Sequence, residues 1–276
     1  MRKTILLTGA TDGIGLATAK LLTSQGHNLL IHGRDAEKLA HVAAQLSVIA
    51  NNAAEPGTAP SYIQCYLADL SQLSQVRALA SKVLTEHQSL DVLINNAGVF
   101  KTSNPIADNG LDLRFMVNTI APFLLTQQLA PLLGSLGRVI NLSSAAQAPV
   151  NIDAIKGKIQ LTDMQAYAQS KLAITLWTQH FAKQYKNNGP TMISVNPGSL
   201  LASKMVKEGF GVAGHDINIG AKVLSDLALN DGMEQYSGQY FDNDIGQFTS
   251  SQPDGISAQK AEETSETIAA IINAQR

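Results

Sequence analysis

The sequence is poor in the residues that close disulfides and bind metals. Cys65 is the only cysteine in 276 residues, so no intrachain disulfide can form and a reducing compartment is the simpler expectation. Its thiol reads as strand filling. The six histidines (His27, His32, His41, His87, His180, His215) show no ligand-like spacing and have no cysteine partners, so no metal site is expected. An excess of one charge is also missing. Lys and Arg number 20 against 22 Asp and Glu, a net charge of −2, which excludes the basic bias of a nucleic-acid binder and leaves small-molecule chemistry as the default. No run reaches the roughly 18 apolar residues of a membrane span. Met1-Arg2-Lys3 leads straight into a short apolar stretch with no small-residue cleavage site after it, so a soluble cytoplasmic protein is expected.

What the sequence has is apolar material, 45% of its residues, in a chain long enough to bury a core without a staple. Short β-branched or aliphatic runs alternate with longer helical patterns, the signature of βα units and a parallel sheet. Strands are expected near 4–8, 28–33, 62–67, 91–95, 138–142, 192–196 and 239–242, with helices near 14–25, 36–49, 73–87, 111–133, 164–185 and 218–229. Seven strands suggest one domain. Runs such as Leu29-Leu30-Ile31 lack alternation, as expected when helices cover both faces of a sheet. Three stretches break the rhythm: 51–60, 145–163 and 199–216. The first reads as a solvated connection. The other two follow strand ends, on the side where an open parallel sheet binds ligands. Residues 1–250 form the catalytic domain in this reading, and 251–276 extend it with a helix-like piece that packs or frays.

Thr8-Gly9-Ala10-Thr11-Asp12-Gly13-Ile14-Gly15 joins the first strand to the first helix. Glycines there let backbone N–H groups at a helix N-terminus approach a pyrophosphate. The spacing is Gly-x3-Gly-x-Gly. With its preceding Thr it resembles the cofactor turn of the short-chain dehydrogenase/reductase family, and four further motifs fall in that family's order: Asn95-Asn96-Ala97-Gly98, Ser143-Ser144, Tyr167-x3-Lys171 and Pro197-Gly198. The resemblance implies a single-domain α/β Rossmann fold, a doubly wound parallel sheet of about seven strands in the order 3-2-1-4-5-6-7. It also implies a nicotinamide cofactor held by Gly9, Thr11, Asp12, Gly13, Ile14 and Gly15. Asp69 and Leu70 would contact adenine, with capping of the next helix as the plainer role for Asp69. Asn96, Ala97 and Gly98 would wall the adenosine ribose, and Asn95 would bridge strands. Tyr167, Lys171, Pro197 and Gly198 would complete the cofactor site.

A carboxylate near the end of the second strand selects NAD, whereas an arginine accommodates the 2′-phosphate of NADP. By family alignment Gly33 stands at the acidic position and Arg34 follows it, where its guanidinium could grip a phosphate. Asp35 lies 35 − 15 = 20 residues beyond Gly15, near the spacing of a NAD-type acid, but reads better as a helix N-cap. NADP(H) is therefore the preferred cofactor, with NAD(H) left open.

Tyr167 and Lys171, four residues apart, share a helix face, and an ammonium beside a phenol favours the phenolate. By resemblance Tyr167 would be the acid/base and Lys171 its partner on the nicotinamide ribose. Ser144, rather than Ser143, would orient the carbonyl, and Asn118 would hold a proton-relaying water; a mid-helix asparagine bonding its own backbone is the plainer alternative. Ser144 and Tyr167 are 167 − 144 = 23 residues apart, about ten more than the family's usual gap. The insertion, about 147–163, resembles the longer form of the retinol-dehydrogenase-like and protochlorophyllide-reductase-like branches and reads as a surface excursion. Residues 199–216 occupy the place of a substrate lid, and Trp177 with Phe181 read as core or subunit packing. The expected function is oxidoreduction of a small carbonyl or alcohol. The expected state is a homodimer or homotetramer paired through the helices flanking the fifth strand. A nucleotide-sensing Rossmann protein without turnover and a reductase of an activated C=C bond are the alternatives.

Overall fold

The computed structural model describes residues 1–186, 188–250 and 252–275. Its centre is one sheet in the order β3-β2-β1-β4-β5-β6-β7-β8. The strands are β1 (Thr4–Leu7), β2 (Asn28–Gly33), β3 (Ile63–Leu67), β4 (Val92–Asn95), β5 (Arg138–Leu142), β6 (Thr191–Asn196), β7 (Tyr240–Asp242) and β8 (Gln247–Thr249). The first seven run parallel, and β8 returns antiparallel to β7 with Phe241 opposite Phe248. The expected seven strands are thus joined by an eighth, a three-residue hairpin strand too short to carry a hydrophobic period.

Side chains alternate across the sheet, so Leu6 enters one apolar layer while Ile5 and Leu7 enter the other, all three fully buried. At about 1.5–3 kcal/mol for each such side chain, these two layers supply the main stabilisation. The helices α1 (Gly13–Ser24) and α2 (Ala36–Ala53) lie on the second layer. The first layer receives α3 (Leu73–Glu86), α5 (Ala121–Leu133) and α7 (Asp163–Gln184).

The expected helix over 111–133 is interrupted. A short α4 (Leu113–Phe115) passes into a π turn over Met116–Ile120 before α5 begins. Pro122 explains part of this, because it has no N–H to give the carbonyl four residues back, that of Asn118. Four further α-helices are α6 (Ile152–Ile155), α8 (Lys204–Phe210), α9 (Ile217–Leu229) and α10 (Ala258–Ala274). The C-terminal extension packs rather than frays, since α10 buries Ala261, Thr264, Ile268 and Ile272 against the body. Among the described residues no helix is long and apolar enough to cross a membrane.

Candidate active site

The strand order reverses at β1, between β2 and β4, and opens a crevice at their carboxyl ends. The Gly-rich turn is fastened into that crevice from both sides. Buried Thr8 accepts the N–H groups of Asn96 and Ala97 on Oγ1 at 3.0 and 3.1 Å, and Asn96 Nδ2 donates to the carbonyls of Thr8 and Gly9 at 2.9 and 3.0 Å. Gly9 has φ of 65°, and a methyl at Gly15 would overlap the Gly9 carbonyl, so side chains are excluded at both. Gly13, with φ of 55°, excludes a side chain by conformation, but among the described residues the only outside atom within 4 Å of its missing Cβ is the Cβ of Ser203, at 3.6 Å. The turn is therefore open toward residue 203, at the N-terminus of α1, where an anion would meet backbone N–H groups. Asp12 caps α1, its carboxylate accepting Gly13 N–H at 2.7 Å. A carboxylate repels phosphate, so any contribution of Asp12 to holding one is confined to its backbone.

At the β2 end, a Cβ at Gly33 would lie 2.7 Å from the Thr11 methyl, so Thr11 would have to turn to admit a side chain there. Arg34 beside it is exposed. Asp35 caps α2, accepting Lys38 N–H at 3.0 Å, as its N-cap pattern predicts. Asp69 folds back on Ser71 N–H at 2.9 Å, whereas the cap of α3 is Gln72. Leu70 is buried in the core, which leaves only its backbone for a ligand. Asn95 bridges β4 and β5 through Asn141 at 2.8 Å.

Helix α7 begins on a capping box, Thr162 with Gln165, and on the buried Arg114, which pairs with Asp112 and Asp163. Tyr167 follows one turn later. Ser144 acts on its phenol, and the Lys171 Nζ lies 5.6 Å from the centre of its ring. The sequence leads one to expect a lowered phenol. Burial instead pushes Tyr167 up, the Ser144 hydrogen bond pulls it partly back, and burial brings Lys171 down to about 8. Desolvation wins because both groups are buried and the ammonium faces the ring, donating to the Leu142 carbonyl at 2.8 Å.

The Asn118 side chain is not turned on its own helix. It clamps Val99, accepting its N–H at 2.8 Å and donating to its carbonyl at 3.0 Å, and donates to Ser170 Oγ at 3.0 Å. Gly98 lies between Asn118 and Lys171: a Cβ there would be in contact with both Asn118 Oδ1, at 3.4 Å, and Lys171 Nζ, at 3.6 Å. With the side chain committed, the backbone carbonyl is the group of Asn118 left without its α-helical donor.

Several residues that motif reading passes over support this arrangement. Ser143 Oγ donates to the Lys171 carbonyl at 2.6 Å and accepts from Gln147 Nε2 and Thr175 Oγ1, both at 3.0 Å. The Ser144 carbonyl accepts from Gln147 at 2.9 Å and Tyr240 at 3.0 Å. Ser143 is thereby turned inward and Ser144 toward Tyr167. The insertion is more than a surface excursion, for Gln147, Ala154 and Ile155 are all buried. The loop at 199–216 is tied at its base by Ala202 N–H to the His215 carbonyl and His215 N–H to that of Leu200, each 2.7 Å. Its entry at Pro197, Gly198 and Ser199 is clasped by Asn243 and Asp244. Burial alone would raise Asp244, but hydrogen bonds from Ser199 and Asn196 hold its carboxyl below the usual range. Ser143-Ser144 and Pro197-Gly198 are local motifs, but their partners Gln147, Tyr240, Asn243 and Asp244 belong to none and are brought to them by the fold. Among the described residues no group of three His, Cys, Asp or Glu is placed to hold a metal.

Comparison with known proteins agrees with this geometry. The model of the short chain dehydrogenase family matches residues 3–210. Retinol dehydrogenase 13 of Homo sapiens is 30% identical over 259 residues, covering 87% of this chain and 76% of its own. Retinol dehydrogenase 12 of Bos taurus is 33% identical, covering 87% and 77%. Among solved structures, a metagenomic short-chain oxidoreductase in complex with NADP superposes with a TM-score of 0.61 at 28% identity, covering 83% of this chain and 92% of that one.

Proposed function

Because this chain belongs to the short-chain dehydrogenase family, oxidoreductases acting between CH–OH and C=O, we propose that it interconverts a carbonyl and an alcohol on a small apolar substrate, with NADP(H) preferred over NAD(H). The carrying observation is the buried Lys171 ammonium beside the buried Tyr167 ring, with Ser144 acting on the same phenol. The Tyr167 and Ser144 hydroxyls would there share a substrate oxygen.

A dinucleotide fits the crevice, whose open side at Gly13 is the space a pyrophosphate needs. Gly9, Thr11, Gly13 and Gly15 shape the turn, Ile14 offers an N–H group, and Arg34 takes the 2′-phosphate. Asp69 and the Leu70 backbone meet the base, Asn96, Ala97 and Gly98 wall the ribose, and Pro197 and Gly198 flank the nicotinamide. The bound nicotinamide supplies or accepts the hydride. The rest is the work of the protein. Ser144 donates a hydrogen bond to the substrate oxygen and supports charge developing on it. Tyr167 Oη gives that oxygen a proton in reduction and takes it back in oxidation. Lys171 holds the nicotinamide ribose and offsets negative charge on the phenol. Asn118 acts through its carbonyl, holding a water that relays protons to Lys171.

The retinol dehydrogenase names of the relatives support an apolar substrate. The test is NADPH oxidation by the purified protein with ketones, long-chain and retinoid aldehydes, quinones and enones. Alcohol product from at least one carbonyl is expected. Tight NADPH binding with no oxidation on any member would replace this reading by a nucleotide sensor. An enone reduced only at its C=C bond would replace it by the other reductase chemistry.

A further inference from the structure

The loop after β4 meets the lid helix α8 through Phe100, which is 4% exposed. Its ring packs against that of Tyr167, with centroids 5.0 Å apart and planes tilted by 57°. Its other side meets the lid. A Cβ at Gly209 would stand 2.6 Å from Phe100 Cε1 and 2.7 Å from Cδ1, and the next nearest atom, at 3.9 Å, belongs to the same ring. Among the described residues, the three atoms outside its own helix nearest to a Cβ at 209 all belong to the Phe100 ring. Two contacts hold this arrangement in place: Lys101 Nζ donates to the Glu208 carbonyl at 3.5 Å, and Arg114 Nη1 donates to the Phe100 carbonyl at 3.5 Å. Arg114 also anchors the start of α7 through Asp163, so the seat of the lid and the helix bearing Tyr167 share one buried cation.

We propose that Phe100 is the seat on which the lid closes and the aromatic wall of the substrate site, and that Gly209 is the lid residue whose bareness lets it reach that seat. The substrate part rests on the reading of Tyr167 as the proton donor. A group bonded to the carbonyl carbon then lies beside Phe100, under α8. A wall made of an aromatic face and a bare helical glycine is flat and apolar, so it selects a planar apolar substituent, such as a conjugated chain or an aryl ring, over a branched or charged one. Phe100 is a specificity-determining residue in this scheme, and Gly209 is a positioning residue.

The test is a double-variant cycle on the full chain with two readouts. The first needs no turnover: trypsin cleavage at Lys204 and Lys207 on α8, measured in native buffer with and without NADPH. Gly209→Ala is expected to speed cleavage about tenfold, since the lid can no longer seat. In a Phe100→Ala background the same Gly209→Ala change is expected to alter cleavage less than twofold, because the ring atoms nearest to its Cβ are gone. The same factor in both backgrounds, or no effect in either, overturns the seat. Should Gly209→Ala alone lose its cooperative melt, the comparison of Phe100→Ala with the double variant still decides. The second readout is the ratio of kcat/KM for a planar conjugated aldehyde to that for a branched aliphatic one. Phe100→Leu is expected to lower the ratio at least fivefold, chiefly through KM, with the NADPH Kd unchanged within twofold. An unchanged ratio overturns the wall. Absence of turnover in the wild type strikes the proposed function and leaves the proteolysis cycle to decide the seat.

Discussion

His32 Nδ1 accepts the backbone N–H of Gly9 at 3.2 Å, while its Nε2 lies 3.0 Å from the Ala68 carbonyl. The Gly9 N–H can only donate, so Nδ1 carries the lone pair and Nε2 the proton. One neutral ring thus ties the Gly-rich turn to the end of β3. Burial lowers this imidazole from its ordinary value of 6.5. A depressed folded value means that the unfolded chain binds the proton first, so the contribution is complete above about 6.5 and fades as pH falls toward the folded value. Wild-type Tm is therefore expected to drop more steeply from pH 6.5 to 5 than that of His32→Gln. Parallel profiles would remove His32 from the linkage.

That contact was invisible in the sequence, where His32 was one of six scattered histidines. Gly9 and Ala68 are brought to it only by strand pairing, β1 with β2 and β2 with β3. The parts that were legible have local causes. The Gly-rich turn needs particular backbone at fixed offsets, Asp35 caps the helix beginning one residue later, and Tyr167 and Lys171 share a face because of helical pitch. Gln147 and Tyr240 lie 93 residues apart (240 − 147), and they meet only at the Ser144 carbonyl. The direction of the Tyr167 shift was missed for a related reason: spacing shows that an ammonium is near, but not that both groups are buried.

Tyr167 and Lys171 should respond differently to removal. Tyr167→Phe deletes the hydroxyl and leaves the ring against Phe100, so turnover is expected to fall by about 10²–10⁴-fold with NADPH binding retained. Full activity would take Tyr167 out of the chemistry. Lys171 is charged at pH 7 yet pulled down to about 8 by burial, which marks a cost to the fold that exceeds its one hydrogen bond to Leu142. By linkage that cost is present below pH 8 and disappears as pH rises toward the ordinary lysine range. Lys171→Met is expected to stabilise the fold at pH 7 by about 2 kcal/mol while suppressing turnover. Denaturant unfolding at pH 7 checks it, and a less stable variant would contradict the sign.

Arg34 is the test of cofactor choice. Gly33 carries no acid, and Asp35 is committed to the α2 N-terminus, so exposed Arg34 is the group beside that strand end suited to a 2′-phosphate. Arg34→Ala is expected to raise the Kd for NADPH by about tenfold or more, the loss of a charge-assisted contact worth about 1.5–3 kcal/mol. The Kd for NADH should change less than twofold. Equal losses for both nucleotides would overturn the preference for NADP(H).

The resemblance led to pairing through the helices flanking β5, and those helices are covered within the chain. In α5 every residue of the first two turns from Ala121 to Thr126 is buried, and in α7 Ala166–Ala168 and 170–178 are buried without a break. The cover on α7 is α10, where Ala261 joins Leu172 and Leu176, and Ile268 and Ile272 join the layer of Trp177 and Phe181. Its outer side carries exposed Glu262, Glu263 and Glu266, and two like-charged ridges of that kind repel rather than pair. Light scattering of the full chain is therefore expected to give the mass of one chain, or an assembly whose cross-links avoid α7. Ending the chain after Ser257 should expose Leu172 and Leu176 and produce self-association that full-length protein does not show. A full-length dimer cross-linked from α7 to α7 would require α10 to leave its groove, and would sink this prediction.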